Sequence, residues 1–262
     1  MKKNPTAEFR LARLSYGQVK KRRFETAVLP WGATEPHGLH LPHGTDYLKV
    51  EKIAEAACDR AAARGARVLL LPSVPYGVNT NNLGFPFAMS IQPTTILAIL
   101  NDLLHSLSVH GIRKVVIVNG HGGNEFKPLL RELFGRHGLF TCVVNYWALA
   151  PEVAEKVFKD RRGDHANEME TSLVLVYYPE LVDMKAAGPG RMRQTGIEAL
   201  EKGWAVFPRP WHVFTLDSGA GDPRAASAEK GRKFLAPVIE RLADFLVELS
   251  ARPYSKDFPY RR

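Results

Sequence analysis

The stretch KVVIVNGHGGN, Lys114 to Asn124, joins six residues typical of a buried β-strand to a glycine-rich turn with a histidine at its centre. Three more apolar runs also end in polar or glycine-rich loops: TAVLPW (Thr26 to Trp31), RVLLLP (Arg67 to Pro72) and FTCVVNY (Phe140 to Tyr146). Between the runs lie segments of helical periodicity that each end at a glycine, which favours helix C-caps: Tyr47 to Arg64, Thr94 to His110 and Glu125 to His137. This alternation predicts an α/β fold with a mostly parallel sheet covered on both faces.

The second half of the chain shows a weaker pattern. We predict further helices over three segments: Glu152 to Lys159, Asn167 to Tyr178 and Arg224 to Ser250. Residues 186–222 are rich in Gly, Pro and Arg, and we expect them to run over the domain surface. A chain of 262 residues suits one large α/β domain, so we predict a single domain over residues 1–262, with its core at about 24–250 and residues 251–262 as a C-terminal arm.

The charge and the cysteines of the chain argue against several classes of protein. The net charge is +9, but the basic residues are scattered and are not interleaved with aromatic residues, so we expect no nucleic-acid partner. Cys58 and Cys142 are not spaced as a metal-binding or redox pair, and we expect both to be buried thiols. The sequence contains no apolar run of membrane-spanning length and no secretory signal pattern, which predicts a cytoplasmic protein with no membrane partner.

Three unusual polar loops follow the first three apolar runs. The first is GATEPHGLHLPHGTD (residues 32–46), the second is PYGVNTNN (residues 75–82) and the third is NGHGGN (residues 119–124). Open parallel sheets bind their ligands beyond the carboxyl ends of the strands. We therefore expect the three loops to share one edge of the sheet and to form the functional site there.

The ligand-type side chains in these loops have more than one interpretation. Glu35 and His37 are two residues apart, so in an extended loop they would point apart and serve two centres more easily than one. Asp46 could cap the helix that follows it, or bridge two cations of the kind that lie ~3.5–4 Å apart in two-metal hydrolytic sites. The turn around His121 could be a plain turn or a phosphate-binding nest, but neither alternative explains the imidazole.

A fourth polar segment, DHANEMET (residues 164–171), runs into the helix predicted from Asn167. In that helix Glu170 would share an inward-facing stripe with Leu173 and Val174, whereas Glu168 would point elsewhere. A buried carboxylate needs a partner, and a cation is a suitable one. Each polar segment alone has an ordinary structural interpretation, but their coincidence on one sheet edge favours a metal site over a chance cluster.

Four segments, in this order and at these separations, resemble the creatininase (creatinine amidohydrolase) family: LPWGATEPHGLHLPHGTD, NGHGGN, DHANEMETSL and SGAGDPRAAS. The resemblance covers the chain from about Thr26 to Leu249. It implies a three-layer α/β/α sandwich that forms a homo-oligomer, usually a hexamer, with two divalent metal ions per chain (Zn, Mn or Fe). It also implies a small-molecule substrate, a cyclic amide or formamide. Water activated by the ions would attack the carbonyl of this substrate, and a C–N bond would break.

The resemblance also implies roles for individual residues. It places five metal ligands in two overlapping groups: Glu35, Asp46 and His121 around one ion, and His37, Asp46 and Glu170 around the other. Asp46 would bridge the ions. Asp164 and His165 correspond to a pair near the substrate, in which His165, oriented by Asp164, would donate a proton to the leaving nitrogen. His40 and His43 match no ligand of the family, and we expect them to lie in the loop or at the rim of the site.

Two departures from the family pattern bear on the substrate. Creatininase itself has a glutamate ligand two residues after the turn histidine, where this chain has Gly123, so we expect a more open and weaker first metal site and do not expect creatinine as the substrate. The loop after the second strand reads NNLGFPFAMS, which predicts an atypical substrate pocket around Asn82, Phe87 and Met89. Four later residues could either line the entrance, from this or an adjacent subunit, or lie on the surface: Arg191, Arg193, Arg209 and Trp211.

Two alternative functions remain open from the sequence. Within the family, the same metal ions could serve a hydrolase that opens the ring of an oxidised cyclitol or keto-sugar. Outside the enzymes, NGHGGN could form the cradle of a phosphate- or nucleotide-binding α/β module. The two classes of protein require different residues. The module requires Gly122 and Gly123, whereas the hydrolase requires the carboxylates of Glu35, Asp46 and Glu170.

Overall fold

A four-stranded sheet lies at the centre of the computed structural model, which describes residues 8–160 and 163–260. Its strands are β1 (Thr26–Trp31), β2 (Val68–Leu70), β3 (Lys114–Asn119) and β4 (Phe140–Asn145). All neighbouring strands pair in parallel, in the order β2-β1-β3-β4. Every residue of β1, β2 and β3 is buried, whereas the edge strand β4 is half-buried. The predicted parallel sheet is confirmed.

Helices connect and cover the strands. They are α1 (Tyr16–Val19), α2 (Thr45–Ala63), α3 (Pro93–Val109), α4 (Phe126–Glu132), α5 (Pro151–Val157), α6 (Glu168–Tyr177), α7 (Glu198–Glu201), α8 (Trp211–Phe214) and α9 (Ala228–Ala251). Short 3-10 helices span Leu11–Arg13, Thr80–Asn82, Tyr146–Ala148 and Pro179–Leu181. Most predicted helices are correct to within a few residues. The helix predicted to reach His137 stops at Glu132, because Gly135 and Gly138 both adopt left-handed backbone angles.

The two faces of the sheet pack against different helices. Side chains alternate along a strand, so Val116 and Val118 face one core cluster, in which α2 and α9 pack, while Val115 and Ile117 face another, which is covered by α3. Helices therefore cover both faces of the parallel sheet. The structure has the predicted three-layer α/β/α arrangement.

Glycines at two neighbouring strand ends allow α2 to begin directly above the sheet. Gly32 follows β1 and Gly120 follows β3, and the N–H of Gly120 donates to the carbonyl of Trp31 across the two strands. A Cβ at Gly32 would overlap the backbone of Tyr47, and one at Gly120 would lie 2.7 Å from the carbonyl oxygen of Asp46. The first turn of α2 thus lies against the carboxyl edge of the sheet, between the two loops that carry the ligand-type side chains.

The C-terminal segment and the cysteines differ in part from expectation. Phe258 packs edge-on against Phe140, with ring centroids 5.0 Å apart, so this part of the predicted arm is docked on β4; residues 261–262 lie outside the described residues. Cys58 is buried as predicted, whereas Cys142 is only half-buried. Burial raises the pKa of both thiols, that of Cys142 to about 12. Within residues 8–160 and 163–260, no helix combines the length and apolar character needed to cross a membrane.

Candidate metal centre

The first group of ligand-type side chains converges on His121. Its Nδ1 atom lies 2.9 Å from Glu35 Oε1 and 2.9 Å from Asp46 Oδ2, and all three side chains are buried. The other ring nitrogen, Nε2, lies 3.1 Å from the carbonyl oxygen of Val78. A carbonyl can only accept a hydrogen bond, so in the neutral ring Nε2 carries the proton and Nδ1 presents its lone pair to the two carboxylates.

Two of the oxygens in this group have no hydrogen-bond donor. Glu35 Oε1 and Asp46 Oδ2 are buried, and within the described structure neither has a partner with hydrogen-bond geometry, despite their short distances to His121. Burial lowers the pKa of His121, but the nearby carboxylates, Glu35 first, outweigh that effect and raise its pKa well above the usual value, so the two carboxylates favour a positive charge at this point. Buried acceptors without donors are rare and costly in folded proteins. A divalent cation between the three ligand atoms would satisfy both oxygens.

The second group is built around His37. Its Nε2 atom lies 3.2 Å from Asp46 Oδ1 and 3.9 Å from Glu170 Oε2, and its Nδ1 atom lies 3.0 Å from the carbonyl oxygen of Glu35. Both histidines therefore have a backbone carbonyl on the nitrogen that points away from the carboxylates, an arrangement common among metal-binding histidines. Asp46 offers one oxygen to each group. In both groups the ligand atoms lie within 4.8 Å of one another.

Asp46 does not have the helix-capping role that was one interpretation of its position. Helix α2 begins at Thr45, its N-cap residue is Gly44, and the N-cap makes no side-chain hydrogen bond. Asp46 instead lies in the first turn of the helix, where its pKa is lowered: burial alone would raise it, but Lys49 and His37 outweigh burial.

A buried lysine in this centre was not predicted from the sequence. The ammonium of Lys49 lies 2.6 Å from Asp46 Oδ1 and also donates to Glu170 Oε1, and the Lys49 side chain is fully buried. Its Nζ atom lies 5.4 Å from the centroid of the Tyr146 ring. The signal in the sequence was helical spacing, because a lysine three residues after Asp46 in α2 must lie on the same side of the helix.

Local hydrogen bonds fix Glu170 at the start of α6. The side chain of Asn167, the N-cap residue, accepts from the backbone N–H of Glu170, and Glu170 Oε2 accepts from the N–H of Ala166 at 2.7 Å. Glu168 points away from the centre, as predicted. It is nevertheless fully buried, where it pairs with Lys230 and accepts from the N–H of Lys159. Glu168 therefore has its own set of donors and takes no part in the centre.

His165 lies beside both groups, although its surroundings differ from the prediction. Its Nε2 atom lies 2.8 Å from the carbonyl oxygen of Pro36, and its Nδ1 atom lies 3.8 Å from Glu35 Oε1. The ring lies 4.1 Å from that of His37 and 4.7 Å from that of Trp211, measured between centroids. Burial, followed by the nearness of His37, lowers the pKa of His165, so its neutral form is favoured at neutral pH.

The expected orientation of His165 by Asp164 is wrong. Asp164 is largely exposed and pairs with Arg209, whose Nη2 atom lies 3.2 Å from Asp164 Oδ2. The guanidinium of Arg209 lies over the rings of Trp211 and Phe214. The carbonyl of Pro36 orients His165 instead, since it lies 2.8 Å from the Nε2 atom of the ring.

A cavity of about 300 Å³ opens beside the centre. Its walls include Asp46, His121, Trp147, Asp164, His165 and Glu170. A second cavity of about 560 Å³ lies under residues 189–214, and Arg191, Arg193 and Arg209 are among its walls. The Asp164–Arg209 pair therefore joins the walls of the two cavities. Trp211 is buried against His165, so the surface interpretation of this tryptophan is excluded.

The other predicted pocket residues divide into two kinds. Asn82 is buried, and its amide donates to Glu35 Oε2, so it supports a ligand-type side chain. Phe87 and Met89 are 83% and 46% exposed, and neither belongs to the walls of the 300 Å³ cavity. His40 lies in the loop, one of the two positions expected for it, but not at a rim, because its ring is buried and lies 2.8 Å from the hydroxyl of Thr171. His43 lies in the same loop and is exposed.

The geometry argues against a phosphate cradle at the NGHGGN turn. The N–H of His121 donates to the side chain of Asn119, and the N–H of Asn124 donates to the carbonyl of His121, so both are already used. The carboxylates of Glu35 and Asp46 also face the turn. An anion would meet negative charge there, whereas a cation would meet acceptors.

Together, the parallel sandwich and the buried groups of carboxylates and histidines at its carboxyl edge define an α/β protein of the metal-binding class. A family model described as "Creatininase: Creatinine amidohydrolase" matches residues 12–246. The chain belongs to the creatininase family and is a hydrolase of that family, which confirms the resemblance.

Relatives of known name differ in their activities. The chain is 29% identical to the creatinine amidohydrolase of Pseudomonas putida, an alignment that covers 84% of this chain and 88% of the relative. It is 28% identical to a mycofactocin precursor peptide peptidase of Mycobacterium ulcerans, over 81% of each chain. It is 24% identical to the 3-dehydro-scyllo-inosose hydrolase of Thermotoga maritima, over 92% of this chain and 82% of that one.

Solved structures agree with the fold. A Bacteroides fragilis protein assigned as a creatinine amidohydrolase superimposes with a TM-score of 0.87 at 38% identity, covering 95% of this chain and 99% of that one. A manganese form of creatininase superimposes with a TM-score of 0.74 at 25% identity, covering 94% of this chain and 100% of that one. A zinc-zinc form of a creatininase variant gives a TM-score of 0.73, also at 25% identity, and covers 94% of this chain and 99% of that one.

Proposed function

We propose that this protein is a metal-dependent hydrolase that cleaves a C–N bond of a cyclic amide, formamide or related small molecule. Two groups of residues would hold divalent ions: Glu35, Asp46 and His121 in one, and His37, Asp46 and Glu170 in the other. The observation that carries the proposal is the pair of buried oxygens, Glu35 Oε1 and Asp46 Oδ2, which converge on His121 Nδ1 and have no partner with hydrogen-bond geometry in the described structure. Bound there, divalent ions would polarise a carbonyl and lower the pKa of water.

The protein's own residues supply a path for the proton. The Nε2–H of His165 donates to Pro36, which leaves Nδ1 unprotonated in the neutral ring and directed toward the centre, 3.8 Å from Glu35 Oε1. The low pKa of His165 keeps this nitrogen free at neutral pH. We assign His165 to accept the proton released when water adds to the carbonyl and to donate it to the leaving nitrogen. Asp164 would form part of the cavity wall, farther from the centre than His165, where it pairs with Arg209.

The size of the cavity supports a small substrate. Its volume of about 300 Å³ is at the lower end of the range for small-molecule sites, which is roughly 300–1,000 Å³. Trp147 and Met169 give its wall an apolar part. A compact ring or a formamide group suits such a space better than an extended peptide. The peptidase and the inosose hydrolase among the relatives define the alternatives that a substrate screen must include.

Metal analysis of four variants tests the proposed ligands. We expect Asp46→Asn to reduce metal content at both positions, whereas Glu35→Gln should affect the first and Glu170→Gln the second. Glu168→Gln is the matched control, since Glu168 is also buried and lies on α6 but pairs with Lys230. Elemental analysis after dialysis measures the result. Loss of metal in the Glu168 variant alone, or a wild-type protein that binds no Zn, Mn or Fe, would exclude the proposed ligand set.

A substrate screen tests the reaction class. Lactams, cyclic ureides, formamides, keto-cyclitols and short peptides would be incubated with the metal-loaded protein, and the products analysed by mass spectrometry. We expect turnover of an amide-type small molecule, with the addition of one water molecule. Turnover confined to keto-cyclitols would replace the C–N assignment with ring opening at a carbon–carbon bond. Turnover confined to peptides would overturn the small-molecule assignment.

A further inference from the structure

The two groups of ligand-type side chains differ in whether their oxygens already have donors. In the first group, Glu35 Oε1 and Asp46 Oδ2 have no hydrogen-bond partner in the described structure. In the second group, Asp46 Oδ1 accepts from Lys49, Glu170 Oε1 accepts from Lys49, and Glu170 Oε2 accepts from the N–H of Ala166. The second group therefore already contains a buried ammonium, that of Lys49, whereas in the described structure no lysine or arginine contacts Glu35 Oε1 or Asp46 Oδ2.

We propose that Lys49 makes the two metal positions unequal, so that the centre binds one divalent ion tightly at Glu35, Asp46 and His121 and a second one only weakly. The inference rests on the proposed function, because it assumes that these residues bind metal. The inference adds the order in which the two metal positions fill. The second ion must either share Asp46 Oδ1 with the ammonium or displace the ammonium from it.

Both alternatives for the second ion carry a cost. Sharing would place the ion beside a positive charge that lies 2.6 Å from the same carboxylate oxygen. Like charges at such distances repel strongly where water is excluded. Displacement would leave a buried ammonium without its two carboxylate partners, since the Lys49 side chain is fully buried and packs against Tyr146. Removing the partners of a buried charge is strongly unfavourable.

The formal charge of the centre leads to the same order. The carboxylates of Glu35, Asp46 and Glu170 are buried together with one lysine. One divalent ion brings this set of charges to neutrality, whereas a second leaves an excess of positive charge inside the protein. A buried excess charge is costly unless an anion accompanies it. The second position should therefore fill mainly when an anion, from solvent or substrate, enters with the ion.

The lysine at position 114 offers a matched comparison within the same chain. Its side chain is also buried, but its ammonium donates to the carbonyl oxygens of Leu249 and Arg252 at the end of α9. That position is on β3 at the opposite end of the strand from the centre, since β3 begins at Lys114 and His121 follows its last residue. Replacing Lys114 thus removes a buried ammonium without touching the metal positions.

Manganese titration of the wild-type protein and of Lys49→Met tests the inference, with Lys114→Met as the control. Metal content at buffered free Mn²⁺ gives the affinities, and electron paramagnetic resonance distinguishes isolated ions from spin-coupled pairs. We expect the second equivalent to need about 10- to 100-fold more free Mn²⁺ than the first in wild type, as for changes in residues that support metal ligands. In Lys49→Met this gap should shrink at least about tenfold, while in Lys114→Met it should remain.

Each outcome decides either the inference or the proposed function. If wild type fills both positions at one free Mn²⁺ concentration, or if Lys49→Met leaves the gap unchanged, the role of Lys49 is refuted while the metal centre stands. If wild type binds no Mn²⁺, Zn²⁺ or Fe²⁺, the proposed function itself fails. Should Lys49→Met not fold, the wild-type spectra still decide: isolated ions up to one equivalent support the inference, and coupled pairs below one equivalent refute it.

Discussion

At the scale of the residue, the candidate site depends on a glycine that has no room for a side chain. A Cβ at Gly123 would overlap His121 Nε2 and lie 2.5 Å from the carbonyl oxygen of Val78, the two groups whose contact orients the His121 ring. The glutamate ligand of creatininase at this position could not be accommodated without moving the turn. Gly123 thus fixes the ring of His121, and in the proposed first metal position it would act in this way as well as by omitting a ligand.

We expect Gly123→Ala to weaken metal binding by about 10- to 100-fold, because it separates His121 from the carbonyl that orients it. The same change should lower the free energy of unfolding by about 1–3 kcal/mol through overpacking. Titration with Zn²⁺ and chemical denaturation measure the two effects. Gly122→Ala, one residue earlier, is the control, since a Cβ there meets no atom within 4 Å. Equal effects of the two substitutions would contradict this account.

His40 provides a prediction on pH. Burial, followed by the nearness of His37, lowers the pKa of His40 to about 4 from a usual value of 6.5. The unfolded chain therefore takes up a proton between these values when the folded chain does not, so the stabilising contribution is present above about pH 6.5 and is lost as the pH falls toward 4. In metal-free protein the loss attributable to His40 should reach about 2 kcal/mol between pH 7.5 and pH 5.

Urea unfolding at the two pH values, in the presence of a chelator, measures this effect as a difference between variants. We expect His40→Gln to lose less stability on acidification than wild type does, by that amount of about 2 kcal/mol. His43→Gln is the control, since His43 lies in the same loop but is exposed. If His40→Gln and wild type show the same pH dependence, His40 does not have the depressed pKa that its burial implies.

The sequence identified side chains that come together in the structure, but it did not give their contacts. The spacing of Glu35 and His37 predicted that they serve different centres. In the structure Glu35 groups with Asp46 and His121, and His37 groups with Asp46 and Glu170, but Glu35 and His37 also lie together in a third group with His165. The sequence did not reveal that Lys49 joins those groups, because a lysine in an amphipathic helix is usually exposed. The sequence also could not show that Pro36 rather than Asp164 orients His165. The two residues are 129 positions apart, and the contact is with a backbone carbonyl, which leaves no pattern in the sequence.

At the scale of the element, the position of α6 depends on close packing against α9. Gly231 of α9 is buried, and a Cβ there would overlap the carbonyl oxygen of Ser172 in α6. The helices approach closely because this position lacks a side chain. Since Glu170 lies one turn or less from Ser172, the close approach also determines where the carboxylate of Glu170 lies relative to Asp46 and Lys49.

We expect Gly231→Ala to destabilise the protein by about 1–3 kcal/mol, although alanine is the better helix former by about 1 kcal/mol, because the overlap with Ser172 forces the helices apart. The same shift should weaken the metal position that includes Glu170 more than the one that includes His121. Denaturation and metal titration measure both effects. Arg232→Ala, at the next and exposed residue, should stay within about 0.5 kcal/mol of wild type; a stabilised Gly231→Ala would refute the packing argument.

Element boundaries were predictable where local signals agreed with packing. The apolar runs and the helical periodicity located β1, β3, β4, α2 and α3 to within a few residues. The end of α4 was not predicted, because periodicity continues past Glu132 while Gly135 takes a left-handed angle. The strand order was beyond the sequence analysis, since it depends on which connection crosses which face. The pairing of β1 with β3 is nevertheless what brings the first and third polar loops side by side.

At the scale of the whole molecule, the centre joins segments that are far apart in the chain. Glu35 and Asp46 follow β1, His121 follows β3, and Glu170 lies in α6, so the ligand atoms meet only when the sandwich has formed. An unfolded chain cannot gather them, and a metal ion should bind the folded state almost exclusively. Metal binding is therefore linked to global unfolding rather than to the opening of one loop.

We expect removal of metal to lower the melting temperature and its return to restore it. Free Zn²⁺ or Mn²⁺ at 100 times its dissociation constant adds about 2.7 kcal/mol to the free energy of unfolding, which corresponds to roughly 5–10 °C for a chain of this length. Scanning calorimetry with chelator and with excess metal measures the shift. Because Asp46 contributes an oxygen to both groups, Asp46→Asn should lose most of the shift, while Glu168→Gln should keep it. A wild-type melting temperature that does not respond to metal would mean that the buried oxygens at the sheet edge are satisfied in some other way.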